Sequence, residues 1–109
     1  MSSGNVNIDL SIAQTFTLTV TSAVTQFTLL NPPTGATAFT VKILQNATAY
    51  SVGIDTFKTS GGASIPVYWA GGGVIPQVTT VANKTDIYSF MTFDGGASLY
   101  GVIGGQNFA

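Results

Sequence analysis

Along residues 15–21, threonine occupies every odd position, and Phe16, Leu18 and Val20 fill the even positions between them. A period of two places the three apolar side chains on one face of an extended strand and the hydroxyls on the other. A helix would scatter both sets around its circumference. The same alternation recurs at Phe39, Val41 and Ile43, and a longer apolar run spans 85–93. No stripe with a period of 3.6 persists, and strong helix formers are scarce, so helix is expected to be nearly absent.

Glycine and proline cut this pattern into short pieces. Asn31-Pro32-Pro33-Thr34-Gly35 stops a strand running from Val24 to Leu30, because two prolines remove backbone donors and fix the bend. Asn46-Ala47-Thr48 reads as a turn that joins the Phe39–Leu44 strand to a weaker run over 49–57 as a hairpin. Gly61-Gly62 precedes Ile65, Val67 and Trp69, and Gly71-Gly72-Gly73 follows them. A glycine triplet implies left-handed backbone or close approach by another chain. Residues 77–82 read as a short strand and Asn83-Lys84 as a turn. Thr85–Phe93 is expected to be central and covered on both sides, with Ile87, Met91 and Phe93 on one face and Tyr88 and Phe90 on the other. Asp94-Gly95-Gly96 supplies the residues of a tight hairpin and returns the chain through 97–103.

About eight strands at roughly 8–12-residue spacing predict an all-β fold: one antiparallel β-sandwich, jelly-roll-like, spanning 1–109. A chain of 109 residues can bury a core without staples, and its even composition marks no second domain or linker. Residues 1–10 are polar and end in the alternating Val6, Ile8 and Leu10, which reads as an extended N-terminal arm able to add to a neighbour's sheet edge.

The chemical inventory points away from catalysis. The chain has no His, Cys, Arg or Glu, and its charged side chains are Asp9, Asp55, Asp86, Asp94, Lys42, Lys58 and Lys84. The four aspartates lie in four separate segments, so a carboxylate pair for acid–base work is not expected. A serine nucleophile lacks a histidine base, and no lysine is placed to replace it. The glycine triplet lacks the Lys-Ser/Thr of a phosphate loop and no helix follows it. No cofactor and no resident metal are implied, and Asp94 beside two glycines is too sparse for a calcium loop. Asn46-Ala47-Thr48 and Asn83-Lys84-Thr85 match the glycosylation pattern but read as turns.

A net charge of -1 with scattered lysines offers no footprint for nucleic acid or an anionic membrane surface. No segment is long and apolar enough for a membrane span, and the first residues do not resemble a secretory signal. Charged residues make up 6% of the chain, against roughly 25% in typical soluble domains. So sparsely charged a surface is poorly defended against association, and part of it is expected to be buried against other subunits. The aromatic candidates for such contact are Tyr68, Trp69, Tyr88, Tyr100 and Phe108, with Trp69 foremost because small residues flank it. Val6, Ile8 and Leu10 of the arm complete the set of interface candidates.

From Tyr68 onward the chain reads Tyr-Trp-Ala-Gly-Gly-Gly, then Val78 to Phe90, Asp94-Gly95-Gly96, Leu99-Tyr100-Gly101 and Gly105-Gln106-Asn107-Phe108. This pattern resembles a β-rich module of tailed-phage virion proteins, notably those of cyanophages and marine phages. Phe39 to Gln45 and the preceding Asn-Pro-Pro turn look like the same module, so the resemblance covers most of the chain. It implies a virion structural protein that associates as a homotrimer. A module of this size without a shaft looks like a capsid decoration or cement protein, with the major capsid protein as partner and the outer capsid as location. The alternative the resemblance leaves open is a tail or capsid fibre tip that binds a host receptor or surface glycan.

Overall fold

Among the residues that the computed structural model describes, 4–108, nine strands follow one another. They are β1 (Asn5–Asp9), β2 (Thr15–Val20), β3 (Gln26–Leu30), β4 (Thr37–Gln45), β5 (Phe57–Thr59), β6 (Ser64–Ile65), β7 (Val67–Trp69), β8 (Thr85–Thr92) and β9 (Leu99–Phe108). They form two sheets, in the orders β1-β3-β5-β6 and β2-β4-β8-β9-β7. The all-β sandwich read from the alternation is therefore the fold.

Four phenylalanines bind the two layers. Phe27 stacks on Phe57 within the first sheet at 5.1 Å between centroids, and Phe39 stacks on Phe90 within the second at 5.2 Å. Phe57 then reaches across to Phe90 at 4.9 Å and to Phe39 at 6.2 Å. All four rings are buried, and Ile8, Val20, Val41, Ile43 and Leu99 fill the space around them. Burying such a side chain contributes roughly 1.5–3 kcal/mol, so this cluster carries much of the stability.

The pairing differs from the antiparallel jelly roll expected from sequence. β1 and β3, β3 and β5, β2 and β4, and β7 and β9 are parallel, while β4–β8, β8–β9 and β5–β6 are antiparallel. The cause is the winding. From β1 to β5 the chain alternates between layers, so neighbours in one sheet are two strands apart in sequence and run the same way. Alternation fixes which face a residue occupies but carries no information about its partner strand.

Other expectations change as well. Residues 46–56 do not return alongside β4 as a hairpin; β4's antiparallel partner is β8, and the chain crosses to the first sheet to form β5. Residues 77–82 form no strand. Strand β8 is central in the five-stranded sheet, but only Asp86, Tyr88, Phe90 and Thr92 face the core; Met91 on the opposite face is exposed. The N-terminal arm is also corrected: residues 5–9 are β1 of the chain's own sheet, Ile8 is fully buried, and Val6 and Leu10 pack against the core. Residues 1–3 of that expected arm lie outside the described residues.

The β8–β9 hairpin forms where the sequence implies, but its loop spans residues 93–98 and β9 continues beyond 103 to Phe108. Asp94 Oδ1 accepts from the Thr92 hydroxyl at 2.9 Å and from Ser98 N–H at 3.0 Å, and the Ser98 hydroxyl donates to Oδ2 at 2.7 Å. Gly95 and Gly96 take positive φ, the conformation that glycine adopts without penalty. These bonds hold the Asp94 carboxyl below its ordinary range, Ser98 contributing most.

Candidate functional site

The outer face of the five-stranded sheet collects what the core rejects. On β7, Tyr68 points opposite to buried Trp69; on β8, Met91 opposes buried Phe90; on β9, Tyr100 opposes buried Leu99. Register then brings them together. Met91 lies directly across from Tyr100, and Tyr100 directly across from Tyr68. The two tyrosine rings are tilted against one another at 5.5 Å, and Phe93 meets Tyr100 edge-on at 5.7 Å.

This cluster is open to solvent: Tyr68 is 53% exposed, Met91 37%, Phe93 63% and Tyr100 45%. Together with Val102 and Ala70 the four line a shallow concavity of about 400 Å³ that contains no ionisable group apart from the tyrosine phenols. Beside it, Ala70–Gly73 closes one turn in which Gly71, Gly72 and Gly73 all have positive φ, a left-handed turn that only glycine makes easily. Val74 and Ile75 follow with their side chains in solvent. Exposed apolar side chains gathered on one face in this way are the kind of feature that interaction surfaces share.

A second cluster lies on the core side of the same sheet, near the start of β8 and the end of β9. The Asp86 carboxylate is buried and accepts three hydrogen bonds: from Thr79 N–H at 2.8 Å, Tyr88 O–H at 2.8 Å and Asn107 N–H at 2.8 Å. Burial alone would raise its pKa, but these donors outweigh that effect and hold it below the ordinary carboxyl value. Burial, with the neighbouring Asp86 charge, pushes the Tyr88 phenol up. The Gln106 amide donates to Tyr88 Oη at 2.7 Å and to the Gln77 carbonyl at 2.8 Å. The arrangement ties the 77–79 segment and the end of β9 to the core. It explains why 77–82 is ordered against the sheet without being a strand.

The interface candidates thus divide. Tyr68 and Tyr100 meet on the outer face, and Phe108 is exposed at the end of β9, folded over Gly105. Trp69 and Tyr88 are turned inward, edge to face at 6.3 Å, so the tryptophan expected to reach another chain is a core residue. The Trp69 indole nitrogen has no hydrogen-bond partner among the described residues. Val6, Ile8 and Leu10 belong to the opposite side of the fold and to the other sheet. Phe93 and Met91 were legible as one face of β8, but nothing in sequence tells whether such a face is covered.

Among the described residues no three His, Cys, Asp or Glu side chains come together to hold a metal. Asp9 is occupied at a turn, accepting from Asn31 and Ser11, which lowers its pKa. No protein-family model, curated protein or solved structure matches this chain.

Proposed function

We propose that this chain is a structural subunit of a tailed-phage virion. It acts as a capsid decoration or cement protein that associates as a homotrimer and seats on the major capsid protein at capsomer junctions of the outer shell. The observation that carries the assembly part is the exposed Tyr68–Met91–Phe93–Tyr100 face on a chain with so few charges to keep it apart from others. Burying that face between subunits removes apolar area from water and places tyrosines, which are favoured at protein contacts, at its centre. The phage assignment rests on the resemblance of Phe39–Gln45, the Asn-Pro-Pro turn before it and the motifs from Tyr68 onward to virion modules.

One feature favours a second reading. The tilted Tyr68–Tyr100 pair at the rim of a shallow concavity is a stacking surface for a sugar ring, as a fibre tip binding a host glycan would need. The number of copies per gradient-purified virion, measured by quantitative mass spectrometry against the major shell protein, separates the two. Decoration predicts copies comparable with the shell protein. A handful per particle contradicts it and gives the fibre-tip reading the lead.

A further inference from the structure

The two sides of the sandwich are finished differently. On one side the short strands β6 and β7 are joined through Pro66, which has no N–H to offer, and the chain itself bridges the layers there. On the other side β1 and β2 are the edges of their respective sheets, joined only by the turn at 10–14. They are five and six residues long, their one charged side chain is Asp9 at the end of β1, and they carry no proline, lysine or bulge. Those are the devices by which folded chains normally block strand addition.

Among the described residues, both edges have backbone groups with no strand partner, and their positions follow from the ladders. Gly4 C=O and Leu10 N–H bond to the β3 side, so the even residues of β1 face β3 and Asn5 and Asn7 point their N–H and C=O outward. Likewise Gln14 C=O accepts from Thr40 N–H, so the even residues of β2 face β4 and Thr15, Thr17 and Thr19 point away. β1 and β2 do not pair with each other. Between them lies a cleft of about 340 Å³ floored by Val6, Ile8, Phe16, Leu18 and Val41, with no ionisable side chain in its lining.

We infer that the β1–β2 side of the sandwich is a strand-acceptor groove for an extended, uncharged segment of another polypeptide whose apolar residues alternate. Such a segment satisfies the outward amides of Asn7 or of Thr17 and Thr19 and directs every second side chain into the cleft. A charged or helical partner matches neither the lining nor the free backbone groups. The inference reverses the role that sequence assigned to residues 5–10: β1 receives a strand and does not donate one. It stands apart from the virion reading, since the groove and the aromatic face lie on different parts of the fold.

The probe is a synthetic peptide that matches no segment of this chain, Gln-Leu-Asn-Phe-Gln-Val-Asn with two C-terminal lysines for solubility, titrated into the labelled full chain and followed by amide hydrogen exchange. Protection of the Asn7 amide, or of the Thr17 and Thr19 amides, should rise roughly tenfold or more at saturation. A control with serine in place of the peptide's Phe and Leu should give no protection. Thr17→Pro and Asn7→Pro together should abolish binding; neither removes a ladder bond of the chain itself, and unchanged far-UV circular dichroism checks the fold. Absence of protection at millimolar peptide overturns the inference, as does binding that Tyr100→Lys removes, which would place the peptide on the aromatic face. Amides already protected in the concentrated protein alone and exposed on dilution would put a second copy in the groove, and would also overturn it.

Discussion

The Trp69 ring lies so close over Gly101 that a methyl group on that glycine would fall 2.7 Å from two of its carbons. The two residues are directly paired across β7 and β9, with Trp69 held edge-on to Phe90 at 5.5 Å on its far side. The indole cannot retreat without disturbing the phenylalanine cluster. Gly101→Ala is therefore expected to lower stability by roughly 1–3 kcal/mol, the range for overpacking a core. Gly61→Ala, where the nearest atom is 3.8 Å away, should change it by less than about 0.5 kcal/mol. Urea unfolding followed by Trp69 fluorescence checks both, and equal effects would contradict the packing.

Asp86 predicts an acid limb. Its folded pKa is lowered, so the unfolded chain takes up the proton first. The stability it contributes is present above the unfolded value of about 4 and is lost as pH falls through the folded value. Asp86→Asn should be less stable than the wild type at pH 7, and the gap should narrow as pH falls below 4. Some acid dependence remains in the variant, because Asp9 and Asp94 are lowered too. Asp86→Ala leaves one buried and two part-buried donors without their acceptor and should cost roughly 2–3 kcal/mol at pH 7. Thermal unfolding across pH 2–7 measures all three proteins.

Two glycines with similar backbone separate conformational strain from steric contact. Gly35 and Gly96 have φ of 87° and 91°, but a methyl at Gly35 meets nothing within 4 Å, while one at Gly96 comes 3.0 Å from Pro32 and 3.2 Å from Leu29. Gly35→Ala should cost about 1–2 kcal/mol through φ alone. Gly96→Ala should cost distinctly more, since the contact adds to the same strain. Chemical denaturation of the pair gives the difference directly.

How far the sequence reached is clear from individual strands. β2 was legible because strict alternation with threonine leaves one register of faces, and the β8–β9 hairpin because Asp94, Gly95 and Gly96 are residues that its turn demands. The parallel pairing was not legible, since it arises from crossings between layers that no local pattern records. Residues 77–82 looked like a strand because Val78 and its neighbours have strand propensity; their backbone is instead held by side chains distant in sequence, Asp86 and Gln106. Gln45 acts similarly, donating to the Tyr50 and Thr79 carbonyls from a buried position that alternation assigns to an apolar residue. Sequence assigns Trp69 to a contact with another chain because Ala70 and three glycines follow it, yet the glycine that matters is Gly101 on β9, whose missing side chain leaves room for the ring in the core. Tyr68 and Tyr100 were identifiable as aromatics but not as neighbours, which only the β7–β9 register brings about.

The central claim is that the outer face holding Met91 and Tyr100 is where this chain assembles. Sedimentation equilibrium of the wild type beside Met91→Lys/Tyr100→Lys tests it most directly, because both side chains are exposed and cross-strand neighbours, so their loss should leave the monomer fold intact. The account predicts a wild-type species at three times the 11.2 kDa chain mass and a variant that sediments as a monomer with unchanged circular dichroism. A wild type that stays monomeric at millimolar concentration, or a variant that assembles as well as the wild type, would contradict it.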